Sequence, residues 1–169
     1  MSQELLDYSR GEINLICKNY DVQTFISTFT EMIKSNFESA NICIESDIQY
    51  NGQVYFDYDR MLRVMFNIST NAKDAMPDGG LFTIKVTEQN GEVTFSLRDT
   101  GIGMPENIKK TAFEPFVTHG KSNGTGLGMS ITKRIIETHG GRIWLNSEEG
   151  VGTEIAFTLP ATQSAKESL

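Results

Sequence analysis

Residues 81–100 read LFTIKVTEQNGEVTFSLRDT. Phe82, Ile84 and Val86 alternate with polar residues, and so do Val93, Phe95 and Leu97. Between the two runs stands Asn90-Gly91, a pair that tolerates the positive φ angles of a two-residue hairpin turn. The stretch predicts an antiparallel hairpin with one apolar face. A period of two puts Asp99 on that same face, at the end of the second strand. A buried carboxylate is costly unless it finds a partner, so Asp99 calls for one.

Helical and strand periods alternate on either side of the hairpin. Upstream, Phe25, Phe29, Met32, Ile33 and Phe37 recur at helical spacing and predict a helix over about 22–39. NICIE and VYFDY read as two short strands. A second helix runs from Asp59, a good N-cap, to Met76, where Pro77-Asp78-Gly79-Gly80 stops it. Downstream, a segment of about 101–125 is rich in Gly, Pro, Lys and Asn. A third helix follows over about 126–139, with Leu127, Ile131 and Ile135 on one side and His139-Gly140-Gly141 closing it. RIWLN and TEIAFTLP are the last two strands. The pattern predicts an α/β fold: a two-layer sandwich with a mixed, mainly antiparallel sheet of about five strands and three helices on one face. A 20-residue loop inside such a domain points to function rather than packing.

Composition removes other classes. The chain has 169 residues, with Lys+Arg 15 against Asp+Glu 22 and a net charge of -7. The pI near 4.8 argues against a general nucleic-acid binder. Cys17 and Cys43 are too few and too far apart for a disulfide framework or a zinc site, and two histidines do not make a His-rich metal centre. No apolar run approaches the roughly 18 residues of a membrane span. The start, MSQELLDYSRGE, lacks the basic-then-apolar order of a signal peptide. The expected location is cytoplasmic, compatible with membrane anchoring of a longer parent.

Three groups of residues carry chemistry. Met61, Met65, Ile68, Ala72 and Ala75 form the apolar stripe of the second helix, and Asn67, Asn71 and Asp74 repeat beside it at the same spacing. Neutral amide oxygens suit the oxygen-rich shell of Mg²⁺, although solvated asparagines on a helix face would look the same. Asp99, followed by Thr100-Gly101-Ile102-Gly103, offers an acceptor for an exocyclic amine beside a close backbone approach; a turn-initiating Asp is the plainer reading. Gly124-Thr125-Gly126-Leu127-Gly128-Met129 opens the third helix, where free amides bind anions; a flexible hinge is the alternative. Thr153 shares parity with Ile155, Phe157 and Leu159 and also points inward. It either bridges to a base through water or satisfies its hydroxyl on the backbone.

The order NxxxNAxDA, DTGIGM, FEPF, GTGLGM, running through Asn67–Ala75, Asp99–Met104, Phe113–Phe116 and Gly124–Met129, resembles the N, G1, F and G2 boxes of the ATP-binding domain of sensor histidine kinases. That domain, the Bergerat fold, is shared with gyrase, Hsp-type chaperones and MutL-type repair proteins. The resemblance covers about residues 20–160. It implies Asn71 as Mg²⁺ ligand with Asn67 assisting, both also catalytic, and Asp99 as acceptor for the adenine amine. It implies Gly101, Ile102 and Gly103 beside the adenine, and Thr153 as a water-mediated contact. Gly124, Thr125, Gly126, Leu127 and Gly128 would contact phosphates, Phe113 and Phe116 would anchor the lid, and Lys121 is a catalytic lid lysine that meets the phosphates or else a solvated lysine. The hydrolase branches carry Glu where this chain has Asn67, and an amide cannot act as a general base. Many members carry Lys where this chain has Asp74, which would instead orient a metal-bound water.

The family's phosphoacceptor helix, with His followed by Glu or Asp, is absent; His119 falls in the lid and His139 at a helix end with a structural role. LLDYSRGE resembles the tail of a dimerisation helix. The expectation is a remnant of that helix and its linker over 1–20, an ATP-binding catalytic domain over 21–160 and a flexible tail over 161–169. ATP and Mg²⁺ are the expected cofactors. The expected partners are the dimerisation and histidine-phosphotransfer domain of the same kinase and, indirectly, a response-regulator receiver domain. The fragment is expected to be a monomer of a homodimeric parent. Two rivals stand beside this reading: a same-fold kinase acting on a partner's serine, of the anti-sigma-factor type, and a degenerate non-catalytic binding module.

Overall fold

The computed structural model describes residues 5–6, 9–118 and 124–161. In chain order the elements are β1 (Cys17–Asp21), α1 (Val22–Ser39), β2 (Ile42–Ile48), β3 (Gln53–Asp57), α2 (Tyr58–Ala75), β4 (Gly80–Gln89), β5 (Glu92–Asp99), the single turn α3 (Glu106–Lys109), α4 (Gly128–Thr138), β6 (Ile143–Glu148) and β7 (Gly152–Pro160). Five strands form one sheet in the order β2-β4-β5-β7-β6. The β2–β4 pair is parallel and the other three pairs are antiparallel. Helices α1, α2 and α4 pack against this sheet, as the sequence predicts. None of the described helices is long and apolar enough to cross a membrane.

The hairpin is the one expected. Asn90 and Gly91 both have positive φ, 54° and 79°, and the strands they join pair Phe82 with Asp99 and Ile84 with Leu97. Val93, Phe95, Leu97 and Asp99 are all buried on one face. Helix α2 packs on β5 and helix α1 on β2; α1 buries Val22, Phe25, Ile26, Phe29, Ile33 and Phe37, each contributing roughly 1.5–3 kcal/mol. Met32, read from the sequence as part of this stripe, is 51% exposed: the apolar arc is centred on Ile26, Phe29 and Ile33, and Met32 falls outside it.

The start of the second helix shifts by two residues. Its N-cap is Asp57, whose carboxylate accepts from the Arg60 N–H at 3.1 Å, and Asp59 lies in the first turn. Both aspartates favour a helix N-terminus, one by capping and the other through the helix dipole, so the sequence signal is doubled there. Residues 17–20, expected to belong to the linker, form β1 together with Asp21 and pair antiparallel with β3 in a separate two-stranded sheet. Tyr20 packs on Phe56 at a ring separation of 5.0 Å, tying that pair to the core.

His139 is structural, and its tautomer follows from its partners. The Asp57 N–H donates to Nε2 at 3.0 Å, so Nε2 carries no hydrogen. Nδ1 therefore holds the hydrogen and donates to the Ile135 carbonyl at 2.7 Å. Burial pushes the imidazole below its ordinary pKa, against the opposing pull of that carbonyl and of Asp57. Asp57 also accepts from the Ile16 N–H at 2.8 Å, so one residue joins the entering chain, the start of α2 and the end of α4.

Candidate nucleotide site

An open cleft of about 740 Å³ lies along α2. Asn67, Asn71 and Asp74 line it from the helix, Asp99 and Thr153 from the strand ends, and Ile102, Gly103, Gly124, Thr125, Gly126 and Gly128 from the connecting segments. The three polar groups singled out in the sequence thus meet in one cavity. Gly101 and Leu127 stand just outside its lining; Leu127 is buried in the core, so only its backbone could reach a ligand. Lys121 and His119 lie outside the described residues.

Strand parity and register make the floor. Asp99 pairs with Thr153 across β5 and β7. Its Oδ1 accepts two backbone N–H groups, from Gly101 at 2.8 Å and Thr153 at 3.2 Å. Among the described residues those donors leave Oδ2 to the cleft. Burial raises the Asp99 pKa, while the Gly101 and Thr153 N–H groups and the Arg98 charge pull it back. The arrangement is an oriented acceptor in a partly dry setting, which suits a ligand N–H.

Gly101 is required by a close approach. A Cβ there would sit 2.3 Å from the Ala75 carbonyl oxygen, and the next residue, Ile102, donates its N–H to that same oxygen at 2.9 Å. The loop is thereby fixed to the end of α2. At the other end of the cleft Gly126 has φ +72° and lies against the Phe116 backbone, whose N–H donates to the Gly126 carbonyl at 2.8 Å. Phe113 is half-buried, and Phe116 is 65% exposed, so its ring is turned outward in this conformation.

On α2 the amide of Asn67 is oriented by α4. Its Nδ2 donates to the Gly128 carbonyl at 3.1 Å and to Thr132 Oγ1 at 3.2 Å, and the Thr132 hydroxyl donates to the same carbonyl at 2.8 Å. The carbonyl oxygen of Asn67 is the atom left for a ligand. With Asn71 it supplies neutral oxygen donors, a set that fits Mg²⁺ arriving with phosphates. No cluster of three or more acidic, His or Cys residues exists among the described residues, so an ion held by protein carboxylates alone does not fit. Helix α4 begins at Gly128 with no side-chain cap bond from Leu127, whose own N–H donates to Thr125 Oγ1 at 3.4 Å; a helix start of this kind suits an anion.

Most of the apolar wall has no signature in the sequence. Met104, Ile108, Ala112, Val117 and Met129 line the cleft together with Leu97 and Ile155. Four of the seven lie in the aperiodic 101–125 segment, where no pattern marks them. A cleft that is oily on one side, with a few fixed acceptors and a helix N-terminus, suits a flat base joined to an anion.

Comparison with known proteins agrees with this geometry. The profile of the family described as histidine kinase-, DNA gyrase B-, and HSP90-like ATPase matches residues 56–163. Sporulation kinase E of Bacillus subtilis (strain 168) is 46% identical over 116 residues, covering 68% of the chain; the match spans 15% of that kinase. The catalytic domain of histidine kinase ThkA, in a nucleotide-free form, superposes with a TM-score of 0.78 at 29% identity, covering 89% of the chain and 97% of the domain. Full-length ShkA in complex with AMPPNP gives a TM-score of 0.84 at 26% identity, over 96% of the chain and 35% of ShkA.

Proposed function

The chain belongs to the histidine kinase-, DNA gyrase B- and HSP90-like ATPase family, as an ATP-binding catalytic domain of the sensor histidine kinase type, and from that premise we propose how it works. It binds Mg²⁺-ATP in the cleft along α2 and delivers the γ-phosphoryl group to a histidine on a separate dimerisation domain. The observation that carries this reading is the meeting of a buried carboxylate acceptor, two α2 amides and an uncapped glycine-rich helix start in one cavity.

Asp99 Oδ2 accepts from the exocyclic amine of the base, and Thr153 meets the ring through water. Ile102, Met104 and Met129 hold the flat faces of the base by contact. Backbone amides around Gly124, Thr125, Gly126, Leu127 and Gly128 take the phosphates, with Lys121 as a further phosphate partner. Asn71 and Asn67 hold Mg²⁺ through their amide oxygens, and Asp74 orients its water shell. Bound there, the ion neutralises phosphate charge and aligns the leaving group.

The reaction needs alignment more than a base. Asn67 stands where water-activating relatives have a carboxylate, and an amide abstracts no proton. Imidazole brings its own lone pair, so in-line positioning suffices. We place the domain in the cytoplasm. Its partners are the dimerisation domain of its parent and, downstream, a receiver domain; the domain alone is a monomer and the parent a homodimer.

The test is trans-phosphorylation. The chain is incubated with γ-labelled ATP, Mg²⁺ and a supplied dimerisation domain. Acid-labile, base-stable label on that domain's histidine is expected. Acid-stable label on a serine substrate would place the chain with the serine kinases of this fold. Absence of Mg²⁺-dependent ATP binding would make it a non-catalytic module.

A further inference from the structure

Asp99, Thr153 and Ser147 stand side by side on β5, β7 and β6, in one row at the end of the sheet. Ser147 does not line the cleft. Its hydroxyl nevertheless meets three partners: the Met104 N–H at 2.8 Å, the Gly152 carbonyl at 3.1 Å and Thr153 Oγ1 at 2.8 Å. A hydroxyl has one hydrogen and two lone pairs. The hydrogen goes to Gly152, which can only accept. One lone pair is taken by Met104, which can only donate. The remaining lone pair is left for Thr153, so at the Ser147–Thr153 contact Thr153 is the donor.

We propose that Ser147 is a positioning residue for base selection: it takes the hydrogen of Thr153 and so presents Thr153 Oγ1 to the cleft as an acceptor only. The inference rests on the reading of the cleft as an ATP site. Thr153 is buried, at 5% exposure, and lines the cleft beside its strand partner Asp99, itself an acceptor. The end of the row therefore shows acceptors alone to a ligand. A 6-amino purine satisfies them, with its amine on Asp99 and a water that donates one hydrogen to Thr153 and the other to the ring nitrogen. A 6-oxo purine sets a carbonyl against the same acceptors. Without Ser147 the Thr153 hydroxyl is free to turn its hydrogen into the cleft, where it fixes no water orientation and gives a carbonyl something to bond.

The test compares ATP with inosine triphosphate, both as Mg²⁺ complexes, by calorimetry on the whole chain. Ser147→Ala is expected to weaken ATP about 5- to 10-fold, the scale of one hydrogen bond. Inosine triphosphate should be weakened less, so the preference for ATP narrows. Loosening of the Met104 loop alone would weaken both nucleotides equally. In the Thr153→Val background Ser147→Ala should leave the ratio unchanged, and Ser147→Thr, which keeps the hydroxyl, should restore it. Should Ser147→Ala unfold, Ser147→Cys reads the same ratio with nearly native volume. Equal weakening of both nucleotides, or a ratio change that persists in the Thr153→Val background, overturns the proposal. Failure of the wild-type chain to bind ATP at all overturns the ATP reading itself, and this proposal with it.

Discussion

Two neighbouring rows cross the same face of the sheet. One holds Ile84, Leu97, Ile155 and Leu145; the next, one pleat nearer the strand ends, holds Phe82, Asp99, Thr153 and Ser147. Burial barely separates them, since Leu97 is 1% exposed and Asp99 only 6%. What separates them is how their atoms are satisfied. The first row is apolar throughout and meets its surroundings, the cleft included at Leu97 and Ile155, by contact alone. In the second, Asp99 Oδ1 is filled by two backbone N–H groups, Thr153 Oγ1 meets Ser147, and both Asp99 and Thr153 line the cleft. At the last pleat the fold replaces apolar side chains with polar groups, on a buried apolar frame.

The comparison breaks most strongly on the apolar side. Phe95 is fully buried and stacks on Phe157 at 5.0 Å. Phe95→Ala should cost about 3–5 kcal/mol of folding stability, read from denaturant unfolding. ATP affinity of the fraction that remains folded should stay near the parent value. Gly101→Ala attacks the joint between floor and helix. The new methyl meets the Ala75 carbonyl, so the loop must shift at a cost of about 1–3 kcal/mol. Here ATP affinity should drop about tenfold, the fold-change that 1.4 kcal/mol of lost contact produces. The smallest effect comes from His139, remote from both rows. Its folded pKa lies below the unfolded value of about 6.5, so the unfolded chain binds the extra proton first. Stability should hold above that value and fall as the pH drops below it, by at most about 1.4 kcal/mol per pH unit for one proton. Unfolding curves between pH 7.5 and 5.5 check this, and His139→Gln should remove that part of the slope.

The parts legible in the sequence are those governed by local rules. Period two and Asn90-Gly91 gave the hairpin, and period two alone aimed Asp99 and Thr153 inward. Spacings of four and three put Asn67, Asn71 and Asp74 in one line. The rest depends on distant partners. CKNYD has no alternation, and β1 exists because β3 offers it an edge. Asp57 caps α2 because β3 ends there, while Asp59 carries the same local signal. The wall residues Met104, Ile108, Ala112 and Val117 sit in a segment without period, so only the folded chain groups them. Ser147 was missed because the strand read as RIWLN stops at Asn146, whereas β6 runs on to Glu148.

In the proposed site Asp99 is the group that reads the base amine. Calorimetric titration of the wild type and of Asp99→Asn with Mg²⁺-ATP tests it directly, with unfolding curves run in parallel. Burial already disfavours the charge, so the neutral variant should be at least as stable as the parent near pH 7. The substitution puts a donor amide against a donor amine. ATP affinity should fall about 30- to 1000-fold, the range of a lost buried polar match worth roughly 2–4 kcal/mol. A folded Asp99→Asn domain that binds ATP as tightly as the parent would contradict the account.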